Sequence, residues 1–151
     1  MRTSKGQQLT RKYIQAMSNA FFEEDYRPKW MNGLELDFYF PDHGLAIEFN
    51  GDQHEFYNGL SGDPLPQILR DKEKKEICRS LGIKLISLEA FDLIYGTIKG
   101  KIKGLLPFRP DCGLSRDLDK RAAQYRSHLK TKFNSPTAFQ KGSKGRIAAI
   151  E

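Results

Sequence analysis

Cysteine is scarce in this chain. It has two, Cys78 and Cys112, too few for the disulfide framework of a small secreted scaffold and without the paired spacing of a zinc-binding module. Reduced, structural thiols are the expectation. No charge-free apolar stretch reaches the length needed to cross a bilayer, and Met1-Arg2-Thr3-Ser4-Lys5-Gly6 is not followed by the apolar segment of a secretory signal. A cytoplasmic protein with no membrane association is expected. Histidine is sparse too: of His43, His54 and His128, the first falls in a predicted turn and the last in the basic C-terminal part, and neither attracts a role.

What is present suffices for one domain. Of 151 residues 38% are hydrophobic, enough for a real core beneath a polar surface. The net charge of +6 favours a polyanionic partner, nucleic acid first, because cationic side chains displace the counterions condensed on phosphates. The excess is localised. Residues 1–114 carry 16 Lys and Arg against 16 Asp and Glu, whereas residues 115–151 carry 9 against 3. A merely solubilising tail is the plain alternative.

Hydrophobic period assigns the elements. Leu9, Tyr13, Ala16, Met17, Ala20 and Phe21 recur at helical spacing, predicting a first helix from near Thr10 to just before Arg27-Pro28. Leu34, Leu36, Phe38 and Phe40 alternate with Glu35, Asp37 and Tyr39, which predicts a strand; Pro41-Asp42-His43-Gly44 is a turn, and Leu45 to Asn50 alternates again. Residues 51–66 are loop-like and Ile68 to Leu81 is helical, closed by Gly82. Ile83 to Leu88 reads as a third, central strand, and Ala90 to Ile98 as a short helix. After a linker around Pro107, Pro110 and Gly113, Ser115 to Phe133 forms a basic helix, capped by Ser115, with Leu118, Ala122, Tyr125 and Leu129 on one side; a loose basic segment follows.

The hairpin is the informative feature. A four-residue connection places Phe40 opposite Leu45, hence Asp37 opposite Glu48 and Glu35 opposite Asn50, all four polar side chains on one face. Opposed residues have Cβ atoms about 4.5–5.5 Å apart, and like charges there destabilise a sheet unless a cation lies between them. Mg²⁺ prefers such hard oxygen donors, completed by water and phosphate. The competing explanation is the solvated face of a half-exposed hairpin.

The run Leu36-Asp37-Phe38-Tyr39-Phe40-Pro41, then Leu45-Ala46-Ile47-Glu48-Phe49-Asn50-Gly51-Asp52-Gln53-His54, with Arg70-Asp71-Lys72-Glu73-Lys74-Lys75, Leu81-Gly82 and Ile83-Lys84-Leu85-Ile86, resembles the core of small PD-(D/E)XK nucleases. Those relatives include very-short-patch-repair endonucleases and phage, giant-virus and homing enzymes. The resemblance spans Leu34 to Leu88. It implies an α/β (α+β) restriction-endonuclease-like core, a mixed β-sheet flanked by helices, over residues 1–110, with residues 111–151 a basic helix and tail for DNA contact.

It also implies that Asp37 and Glu48 bind Mg²⁺ or Mn²⁺, and that DNA phosphodiesters are hydrolysed to leave a 5′-phosphate. The family's lysine two residues beyond the glutamate is here Asn50, so Gln53 and His54 become candidates for orienting water, and Lys74 or Lys75 for steadying the phosphate. Glu23 and Glu24, at the end of the first helix, are a lesser source of a further ligand.

The expected partner is double-stranded DNA, held through Arg116, Lys120, Arg121, Arg126, Lys130 and Lys132. With no base-reading module in the sequence, specificity is expected from assembly into a homodimer or larger homo-oligomer, from DNA shape, or from a lesion or junction. Homing, mismatch-nicking, junction-resolving and restriction enzymes all fit, with a lean toward a phage or mobile-element homing enzyme. The rivals are a DNA-binding module that lost its chemistry, favoured by Asn50, and a basic RNA-binding protein, which leaves the acidic hairpin unexplained.

Overall fold

The computed structural model describes residues 4–50, 65–111 and 113–133. The first helix, α1 (Lys5–Met17), starts one turn earlier than its apolar period suggests, because the Ser4 side chain caps it by accepting the Gln7 N–H at 3.1 Å. It also stops much earlier, at Ser18. Residues predicted as its last turns instead form strand β1 (Glu23–Tyr26). A 3₁₀ turn at Lys29–Met31 ends on Asn32 in the left-handed conformation and leads into β2 (Leu36–Phe40). The hairpin then closes with the expected register, Phe40 opposite Leu45, into β3 (Leu45–Phe49).

Helix α2 (Leu65–Ser80) carries the chain over to β4 (Lys84–Leu88), which runs parallel to β3. The sheet order is β1-β2-β3-β4, so among the described residues the strand expected to be central lies at an edge. The central place belongs to β3, whose five residues are all buried between β2 and β4 and between helices on both faces. A 3₁₀ turn (Ala90–Asp92), α3 (Tyr95–Lys101) and α4 (Leu114–Phe133) follow. Ser115 lies inside α4 and does not cap it; its hydroxyl donates to Asp111 Oδ2 at 2.7 Å. Among the described residues, the mixed four-stranded sheet with four helices is an α+β architecture.

Each face of the sheet has its own core. Phe38, Phe40, Leu45, Ile47 and Phe49 meet α1 through Leu9, Tyr13, Ile14 and Met17, and meet α4 through Leu118, Ala122 and Tyr125. Helix α4, expected to stand apart as a DNA-contacting arm, is thus built into the same core as the sheet. Asp119 fixes it there: one carboxylate oxygen accepts the Tyr13 hydroxyl at 2.6 Å and the Tyr95 N–H at 2.8 Å. On the opposite face, Ala46 packs with Ile83 and with Cys78 of α2, in a second core that also includes Met31 and Leu36.

One contact leaves no room for change. The Phe49 ring lies on the bare Cα of Gly6, where an added Cβ would overlap the ring. This fixes the first turn of α1 against the end of β3, one residue from Glu48.

Candidate metal centre

Three neighbouring strands place carboxylates in one row. In the β1–β2 register Asp25 lies between the paired residues Glu24↔Phe38 and Tyr26↔Leu36, opposite Asp37; continuing β2–β3 by one step sets Asp37 opposite Glu48, which pairs with Ser87 of β4. Asp25 adopts φ +53°, a conformation that Asp tolerates better than most residues. Carboxylate oxygens of Asp25, Glu35 and Asp37 all lie within 4.8 Å of one another.

Asp37 and Glu48 are tied together through the backbone. Glu48 Oε2 accepts the Asp37 N–H at 2.9 Å, and Asp37 Oδ2 accepts the Phe49 N–H at 2.8 Å. The second oxygen of Glu48, Oε1, accepts from Lys74 Nζ at 2.8 Å, and both side chains are largely buried, Lys74 being 14% exposed. Each carboxylate oxygen has more than one lone pair, so these bonds leave acceptor capacity for a cation.

Burial, reinforced by the charge of Glu48, pushes the Asp37 carboxyl up to about 8. Burial also raises Glu48, against the lowering effect of Lys74. Two desolvated acids side by side resist joint ionisation, and a divalent cation relieves that resistance.

The row opens into a cleft of about 270 Å³ lined by Arg27, Glu35, Asp37, Glu48, Asn50 and Lys74 among others. Asn50 therefore stands in the cleft, its N–H anchored on Leu88 O at 2.9 Å. Of the two candidate lysines, Lys74 reaches the carboxylates. Gln53 and His54 lie outside the described residues. Glu23 and Glu24 sit on β1, not on a helix, and Glu24 is engaged by Arg11 at 3.1 Å and Gln7 at 3.1 Å. Gln7 also donates to Asp25 at 2.9 Å. Asp25 is the site residue that sequence reasoning misses, because the helical period runs on into β1; Ser18-Asn19, a polar break after Met17, is the signal that could have found it.

No family model matches the chain and no solved structure matches it. It is 28% identical over 95 residues to "Uncharacterized protein 033L" of Invertebrate iridescent virus 3, a match covering 56% of this chain and 48% of that protein. The matched segment thus spans about half the length of the viral relative.

The cations expected on α4 divide. Arg116, Lys120 and Arg121 are exposed, Arg121 pairing loosely with Asp117 at 3.3 Å. Arg126 is partly buried and donates to Leu93 O at 2.8 Å and Ala90 O at 3.4 Å, bolting α4 to the segment before α3. These bonds give Arg126 a packing role, and the side chains of Lys130 and Lys132 lie outside the described residues. Arg126→Ala is expected to cost about 1–3 kcal/mol of stability by orphaning those carbonyls. Thermal unfolding should register that loss, while the salt dependence of DNA affinity stays unchanged.

Proposed function

We propose that this chain is a Mg²⁺-dependent DNA endonuclease of the PD-(D/E)XK type. The supporting observation is the buried contact of Lys74 Nζ with Glu48 Oε1 at 2.8 Å, beside Asp37. It puts an ammonium group next to the two carboxylates from α2, supplying the charge that Asn50 lacks at the family's usual position.

The donor set suits a hard cation: carboxylate oxygens of Asp37 and Glu48, with Asp25 and Glu35 bordering them, in a cleft open enough for water and phosphate. Bound there, Mg²⁺ or Mn²⁺ supplies Lewis acidity toward the scissile phosphate and lowers the pKa of the attacking water. The chain supplies the rest. Glu48 is held in place by Lys74 on one oxygen and the Asp37 N–H on the other, and Asp37 by the Phe49 N–H. Lys74 offers a fixed positive charge toward the charge that grows on the phosphate during hydrolysis, where a preorganised donor is most effective. Asn50 lines the same cleft, where its side-chain amide would orient water.

Supercoiled plasmid, mismatched duplex and branched DNA incubated with the protein in Mg²⁺ or in EDTA test the reading. Nicking or linearisation is expected in Mg²⁺ alone, lost in Glu48→Ala with DNA binding retained. Equal cutting in EDTA, or by Glu48→Ala, rules the assignment out, and the preferred substrate identifies the subtype.

A further inference from the structure

We infer that the groove between α1 and α4 is a second nucleic-acid contact, which seats the phosphate backbone of duplex DNA flanking the cleft. The groove has a volume of about 580 Å³. Lys5 and Lys12 of α1 form one wall, and Arg121 and His128 of α4 the other. All four are exposed, and the residues lining the groove include no Asp or Glu among the described residues. In the cleft the carboxylates are offset by Arg27, Arg70 and Lys74 and serve the cleavage point, so the flanking phosphates of a bound duplex need cations elsewhere.

Spacing matches that need. Lys5 and Lys12 on α1, and Arg121 and His128 on α4, are each seven residues apart, which at 1.5 Å rise per residue is about 10.5 Å along the axis. Long, flexible lysine and arginine side chains at that span can engage separate phosphates of one backbone. The floor is made by Leu9, Tyr125 and Leu129, apolar surface suited to sugar edges. Among the described residues Arg121 pairs with Asp117, in a contact whose side chains are 46% and 59% exposed, and such pairs exchange readily for phosphate.

Groove and cleft meet at one end of the sheet. Gly6, next to Lys5, lies on the Phe49 ring, and that ring is 6.5 Å from Tyr125 in the groove floor. Gln7, one residue on, donates to Asp25 in the carboxylate row. In the inferred pose, a backbone leaving the cleft passes the first turn of α1 to reach the two walls of the groove. This inference rests on the endonuclease reading.

The test compares Lys5→Ala/Lys12→Ala/Arg121→Ala with a charge-matched triple, Arg79→Ala/Lys84→Ala/Lys103→Ala, whose residues are exposed elsewhere. Fluorescence anisotropy of a labelled mixed-sequence duplex is measured in Ca²⁺, with gels verifying that it stays uncut. Between about 50 and 200 mM salt, the groove triple should lower the slope of log affinity against log salt by about 2–3 and weaken binding at least tenfold. The matched triple should change affinity much less. Lys12→Glu alone gives the same comparison should the triple fail to fold.

Equal effects from both triples, or no effect from the groove triple, overturn the inference. If the wild type still cuts plasmid in Mg²⁺ in that case, the endonuclease reading stands and the groove alone falls. A wild type that neither binds nor cuts any duplex removes both.

Discussion

Lys74→Ala should lower the rate of Mg²⁺-dependent cleavage by about 10²–10³-fold, the loss seen when one preorganised electrostatic donor is removed from a reacting centre. DNA affinity should change little, since Lys74 is one mostly buried cation held by Glu48 and not part of an exposed basic surface. Lys74→Arg should recover part of the rate by keeping the charge, but with the flat, wider guanidinium it should not recover all of it. Single-turnover plasmid cleavage at saturating enzyme separates the effect on the chemical step from any effect on binding. Unchanged cleavage in Lys74→Ala would assign the role to Gln53 or His54 instead. Lys75→Ala serves as the paired control, because its side chain is exposed.

Asp37→Asn should make the metal-free protein more stable while eliminating cleavage. In the folded chain Asp37 holds its proton up to about pH 8, against an ordinary value of 3.8, and its acidity is suppressed first by burial and then by Glu48. The folded state therefore binds a proton that the unfolded state releases. The stability this contributes is complete below about pH 4 and is lost as pH rises through about 8. Asparagine resembles the protonated acid in shape and charge and can still accept the Phe49 N–H.

The gain should therefore be near zero at pH 4 and largest at pH 8 and above. A tenfold change in acidity corresponds to about 1.4 kcal/mol, which sets an upper bound near 5–6 kcal/mol. Glu48 shares the strain and solvent reaches the cleft, so a rise in Tm on the order of 5–10 °C at pH 8 is expected. Added Mg²⁺ should raise the Tm of the wild type, more at pH 8 than at pH 5.5, and should not raise that of Asp37→Asn. Identical melting of the two proteins at pH 8 would show that the two acids do not oppose each other's ionisation.

The hairpin and its opposed acids are legible in the sequence because the period of two and the turn length fix which residues face each other, and a slip of one residue would put Phe38 and Ile47 in water. Strand β1 is not. Glu23-Glu24-Asp25-Tyr26 has no apolar alternation, since this edge strand buries little, and it follows a continuous helical pattern. The run Ile83 to Leu88 suggests a central strand by its composition, yet composition reports burial by flanking helices as well as by flanking strands.

The distinction between Lys74 and Lys75 is within reach of the sequence. Lys74 lies at helical spacing from both Ile77 and Cys78, three and four residues before them, whereas Lys75 has that spacing to Cys78 alone. The same reasoning applies to Arg126, four residues after the buried Ala122 and three before Leu129. Its charge suggests DNA, and its helical phase suggests the core.

The Phe49 ring on Gly6 sets how this surface can evolve. Any side chain at position 6 must displace the ring, which packs beside the strand end that carries Glu48. In a saturation library scored for folding and for cutting, position 6 should therefore accept glycine alone, although alanine there would favour the helix by itself. Lys5, next to it and exposed, should accept many residues that fold and lose only affinity. Adjacent positions on one helical turn would thus answer to different selections, one for the placement of the carboxylates and the other for the grip on the polymer, so the grip can be retuned without disturbing the placement.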